Sequence, residues 1–154
     1  MSGNDTGSGG NKTDKERLVG TWILESLTRG EGAGQTEPYG PNPIGTMMVD
    51  AGGRFSIIVV RSDMPRFASD NRMTGTAGEN AAVVQACVAY FGTYAIDEAT
   101  HVITVNVEGS TFPNFIGGTQ TRVLSFNGDD EMTYHNPTPS MGGGTAKVTY
   151  RRAG

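Results

Sequence analysis

Residues able to carry a proton, a charge or an oriented amide gather at the ends of two β-prone segments. "HVITVNVEG", residues 101–109, ends with Asn106 and Glu108, and "RFSIIVVRS", residues 54–62, closes an apolar run with Arg61. A carboxylate set among apolar side chains has its pKa raised by desolvation and serves as a general acid or base. The same carboxylate paired with arginine stays ionised and becomes a fixed polar anchor. Asn106 can only orient, because an amide does not exchange a proton at neutral pH. The catalytic reading makes Glu108 the acid or base, Asn106 its holder, and Arg61 with Tyr94 the stabilisers of developing charge. The plainer reading uses the same strand: Thr104, Asn106 and Glu108 alternate with Ile103, Val105 and Val107, and ordinary patterning turns the polar three to water. Both readings stay open at this point.

Other reactive residues form no recognisable set. His101 and His135 have no neighbours at metal-ligand spacing, so no metal site is expected; His135, near a strand end, is the better acid–base candidate, against the alternative of an exposed histidine. The single cysteine, Cys87, excludes an intrachain disulfide and sits in "AAVVQACVAY", the setting of a buried inert thiol. "GGGTAK" lacks the Gly-Lys-Ser/Thr that grips phosphate, and "GEGAG" places Gln35 where a dinucleotide loop needs glycine. No cofactor is expected. Tyr94, Tyr134, His135 and Asn136 lie near strand ends that can converge on one mouth. Met47 or Met48 and Met132 suit a pliable cavity wall, while Met64, Met73 and Met141 fall in loops that form a lid or pack down on the surface.

The elements that must position these residues read as one domain of short strands. The chain has 154 residues and a formal charge of −4, with a pI near 5.1, which argues against nucleic acid or anionic lipid as partner. No apolar run is long enough to insert into a membrane. The chain is expected to be soluble, either cytoplasmic or exported after loss of a signal segment, and a monomer or homodimer. Residues 1–16, without a hydrophobe after Met1, read as a disordered tail, and 17–154 as the domain. Eight strands are expected, in "LVGTWILESLTR", "IGTMMV", "RFSIIVVRS", "VAYFGTYAID", "HVITVNVEG", "TQTRVLSFN", "EMTYHN" and "TAKVTYRRA". Asp50-Ala-Gly-Gly53 and Asn127-Gly-Asp-Asp130 supply hairpin turns, and a short helix is expected from about Glu79 to Cys87. Strands 55–61 and 88–96 are apolar on both faces, so the helix and the 62–78 connection are expected to cover their outer side.

Gly20-Thr-Trp22 in the first strand resembles the Gly-x-Trp motif of the lipocalins, a calycin-type barrel whose indole closes the floor. The resemblance implies that Arg152, or Arg151, stacks over that indole. "GGRFSIIVVRSDMPRFASDNR", "VAYFGTYAIDE", "VEGSTFPNF" and "GGGTAKVTYRR" are similar to bacterial and fungal proteins with a lipocalin-like domain, over about residues 18 to 152. Members often carry histidine where this chain has Asn106. The resemblance implies an all-β, eight-stranded antiparallel up-and-down barrel with one short helix, binding a small, largely apolar molecule in its interior. The lining expected is Trp22, Met47, Phe55, Tyr94 and Tyr134, with Arg61, Asn106 and Glu108 at a polar end. The alternative is a cofactor-free isomerase, cyclase or hydratase using Glu108.

Overall fold

The computed structural model describes residues 12–154. Eight strands run antiparallel around a closed barrel in sequence order, with the last paired to the first. They are β1 (Gly20–Arg29), β2 (Ile44–Val49), β3 (Arg54–Val60), β4 (Cys87–Asp97), β5 (Val102–Ser110), β6 (Thr119–Asn127), β7 (Glu131–Asn136) and β8 (Ala146–Arg152). One-turn helix α1 (Asp14–Leu18) precedes β1, and α2 (Ala77–Ala86) lies between β3 and β4. Thr76 and Glu79 form the capping box that starts α2, satisfying backbone donors the first turn leaves free. All eight expected strands are present, with ends shifted by a few residues.

Period-two alternation sets which side chains fill the barrel. Phe55, Ile57 and Val59 of β3, Val88, Tyr90 and Tyr94 of β4, and Ile103, Val105 and Val107 of β5 are buried together in one core. Two irregularities let the sheet coil shut. One lies in β1 between Leu24 and Ser26; in the other, Phe91 pairs with Gly109 and Gly92 with Val107, which leaves Glu108 as an extra residue. Gly92 is required there, because a Cβ at that position would stand 1.9 Å from the Asn106 carbonyl oxygen. In the β2–β3 hairpin, Gly53 takes φ 97° and Asp50 Oδ1 accepts from Arg54 N at 2.8 Å.

One barrel end is a sealed floor. Trp22 is fully buried and donates its indole N–H to the Leu18 carbonyl at 2.8 Å. The Arg152 guanidinium lies 4.4 Å from the centre of the indole, and its N–H groups donate to the carbonyls of Asp129 (2.8 Å), Val19 (3.0 Å) and Arg17. Arg152, not Arg151, is therefore the stacking residue. Helix α1 completes the floor: Asp14 contacts His101 Nδ1 at 2.6 Å, and the Asp14 backbone N–H donates to Glu98 at 2.7 Å.

Two expectations need correction. Of the tail expected over residues 1–16, residues 1–11 lie outside the described residues, Lys12 pairs with Asp129, and 13–16 form the capped start of α1. A Thr13–Glu16 capping box and the ties to Glu98 and His101 in the β4–β5 turn hold a segment too polar to be recognised as structured. Secondly, α2 and the 62–78 connection do not cover the outer face of β3 and β4. Ile58 and Phe91 are about half exposed, as are Met48 and Ile44 beside them on β2. Helix α2 sits over the barrel end opposite Trp22, because its residues are mostly small or polar and offer no broad apolar face to lay on a sheet.

Removing the floor indole leaves a cavity beneath Arg152. Trp22→Ala should lose roughly 3–5 kcal/mol in urea unfolding, the scale of large aromatic truncations. Gly92→Ala forces β4 away from β5 and should cost about 1–3 kcal/mol by the same measurement, as overpacking does.

Candidate functional site

The open end of the barrel is formed by the C-terminal ends of β1, β3, β5 and β7 and the N-terminal ends of their partners. Above it is a wide vestibule of about 860 Å³ between α2, Arg61–Pro65, Phe112 and the loop at Met141. Tyr39 and Met141 line this vestibule and also the chamber beneath it. The upper chamber, walled by Val59, Val88, Tyr90, Tyr134 and Val148, has about 50 Å³ where the centre of a water molecule fits. A lower chamber of about 20 Å³ by the same measure reaches Met47, Phe55, Val105 and Arg122. One water needs roughly 10–15 Å³ on this measure, so the barrel interior holds a few waters and must open further for anything larger.

Tyr90 and Tyr134 line both chambers and form the waist between them. Edge contacts from Tyr90 to Phe55 (centroids 5.9 Å apart) and to Phe115 (5.4 Å) fix the ring. Tyr134 packs on Tyr150 at 5.8 Å. Burial holds the phenols of Tyr134 and Tyr150 well above their ordinary pKa, so both stay neutral at physiological pH. Burial likewise raises Tyr39, opposed by a hydrogen bond with Ser140.

Arg122 is the residue that the sequence reading missed. It is 3 % exposed and lies inside the barrel, in phase with Leu124 and Phe126 on β6. The strand "TQTRVLSFN" carries the signal: Gln, Arg, Leu and Phe alternate with Thr, Val and Ser, which puts the arginine on the apolar side. Its guanidinium donates to Thr121 O (3.0 Å), Gln120 Oε1 (2.8 Å) and the Tyr90 hydroxyl (3.3 Å), and lies 5.8 Å from the centre of the Tyr134 ring.

The residues expected at the site divide sharply. Met47, Phe55 and Tyr134 line the interior. Trp22 and Tyr94 are floor elements: the Tyr94 hydroxyl donates to the Asp50 carbonyl at 2.7 Å, and Lys15 stacks on its ring at 5.9 Å. Arg61 lines the vestibule and pairs with Asp63 at 2.8 Å, not with Glu108. Asn106 faces outward and accepts from Thr119 Oγ1 at 2.9 Å. Glu108 is exposed and pairs with Arg54 on the outer wall. The inward Glu108–Arg61 anchor is thus not formed. Burying Ile103, Val105 and Val107 fixes the phase of β5, and the bulge at Glu108 does not reverse it. The catalytic trio Glu108, Asn106 and Arg61 is not assembled in the cavity.

His135 is exposed on β7, and Asn136 is buried at the open end. Cys87 is only half-buried and lines the vestibule. Met64 and Met141 line the vestibule as well, whereas Met73 points into solvent. Among the described residues no group of three His, Cys, Asp or Glu side chains is placed to hold a metal ion. No helix among them is long and apolar enough to cross a membrane.

The model of the lipocalin-like domain matches residues 19–152, from the strand carrying Trp22 to the arginine stacked upon it. The chain belongs to the lipocalin-like domain family. A curated relative, the 4'-hydroxy-3'-methoxypropiophenone carrier protein ppsC of Aspergillus oryzae, is 31% identical over 77 residues, spanning 46% of this chain and 69% of that protein. A solved structure of a redesigned β barrel shares 14% identity with a TM-score of 0.47, covering 91% of this chain and 95% of that one.

Because Glu108 and Arg54 meet in solvent, Glu108→Gln should leave the melting temperature and any ligand affinity unchanged within error. Thermal unfolding and calorimetric titration of the variant check both.

Proposed function

We propose that this protein binds a small, largely apolar molecule inside its barrel, entering past Tyr39 and Met141. One observation carries the reading: a two-chambered interior walled by aliphatic and aromatic side chains, open to the vestibule at one end and sealed by Trp22 at the other. The relative named as a carrier of an aromatic ketone supports the same broad ligand class. Met47, Phe55, Tyr90 and Tyr134 are the proposed lining.

The narrowness of the chambers sets the mechanism of entry. A single aromatic ring exceeds the free space in either one, so binding must displace Tyr39 and Met141 and spread the side chains at the waist. Met141 suits such a gate because its unbranched thioether repacks at little cost. The helix and loops around the vestibule are then a funnel for an apolar solute.

Isothermal calorimetry with propiophenone and its ring-substituted relatives tests the proposal. Saturable one-to-one binding is expected, and Val148→Phe, which fills the upper chamber, should abolish it while the far-UV spectrum stays that of a barrel. Absence of saturable heat with the wild-type protein would overturn the proposal.

A further inference from the structure

Arg122 is a cation buried in an apolar barrel without a countercharge. Among the described residues no carboxylate pairs with it; the ion pairs found there join other residues. Its hydrogen-bond partners are all neutral: a backbone carbonyl, the Gln120 amide and the Tyr90 hydroxyl. Tyr134 adds the face of its ring and a neutral hydroxyl. Removing a guanidinium from water without a compensating charge is costly, and a barrel that needed only packing would place leucine or methionine there.

One buried donor of this guanidinium is also unused. Among the described residues Arg122 Nε has no hydrogen-bond partner, and the guanidinium packs against the ring of Tyr134. Arg122 borders the lower chamber, just below the waist where Tyr90 and Tyr134 separate it from the upper one. Unsatisfied buried donors are rare in folded proteins, and one on a guanidinium that borders an apolar cavity points to an acceptor supplied from outside.

We infer that Arg122 receives an ionised oxygen of the ligand, so that the molecule carried by the barrel is an organic anion: mostly apolar, with a carboxylate or phenolate that reaches the waist. The inference rests on the cavity reading above and adds the charge of the ligand to it. The free Nε–H supplies a charge-assisted hydrogen bond, and the guanidinium charge, set among apolar side chains of low dielectric, favours the ionised form over the neutral one. Because Nη1 and Nη2 already donate to Thr121, Gln120 and Tyr90, the contact needs one oxygen atom, not a two-oxygen fork. The aromatic rings at the waist suit an oxygen attached directly to, or one carbon from, a flat ring.

Matched pairs of ligands test this with the full chain. Calorimetry compares naphthoate with naphthamide, and para-hydroxypropiophenone with its methyl ether; the anionic or ionisable member of at least one pair should bind roughly tenfold tighter or more, the scale of one hydrogen bond to a charged group. Preference in the first pair assigns a carboxylate ligand, and preference in the second a phenolate. In the phenolate case the absorption band of the ionised phenol should appear on binding at a pH where the free phenol is neutral. Arg122→Gln should erase the preference and the band while the neutral members still bind. Equal affinity within both wild-type pairs overturns the inference and leaves the cavity reading standing. Failure of every member to bind overturns both.

Discussion

The stack of Arg152 on Trp22 joins the last strand of the barrel to the first, and most of the architecture follows from it. Trp22 pairs with Arg152 across the β1–β8 ladder, so the contact is made where the sheet must meet itself. The same guanidinium gathers carbonyls from the segment before β1 and from the β6–β7 turn. One side chain thus closes the sheet, covers the indole and ties down α1. A barrel closed and plugged at one end has a single direction of entry, which is why the other end bears the vestibule, α2 and the long connections.

Charge is distributed unequally between the two sides of the wall. Outside, Arg54 meets Glu108, Arg61 meets Asp63, and Arg151 approaches Glu25, all in contact with water. Such pairs contribute little to stability, since solvent already stabilises each ion. Inside, Arg122 stands among tyrosines and aliphatic residues with neutral partners. The same residue type is therefore almost neutral in energy on one face of the sheet and expensive on the other. The interior cost is offset by the surrounding core, which includes Ile57, Ile103, Leu124 and Tyr134, and a stable floor makes room for a costly waist.

Rigid and yielding parts of the molecule are segregated along the barrel axis. At the floor, Trp22, Leu18, Met132 and Tyr150 are buried almost completely. At the mouth, Val84 and Met141 are exposed, and the walls of the vestibule come from loops and a ten-residue helix. Regions with few buried contacts open at lower free energy than the core, so a solute can enter without loosening the barrel closure. The exposed Ile58 and Phe91 belong to neither part: they are the outer phase of strands whose inner phase alone fills the barrel.

The amino-acid sequence by itself determined the eight strands, their hairpin turns and the short helix, which rest on local rules: alternation, glycine turns and helical spacing. The floor tryptophan was legible through the resemblance of Gly20-Thr-Trp22 to a family motif. It also contained the phase of β6, since Arg122 lies in step with Leu124 and Phe126, although an arginine in a strand is ordinarily assumed to face water. Tertiary structure alone decided which end of each strand points to the floor, and hence that Tyr94 seals the bottom while Tyr134 lines the cavity. It also decided the fate of Glu108. Local alternation left its side undetermined as long as both faces of β5 had plausible surroundings; closure of the barrel put the valines inside and the carboxylate beside Arg54. The physical reason is that alternation specifies two faces but not which is interior, and the sign is set only when all eight strands bury their larger apolar face together.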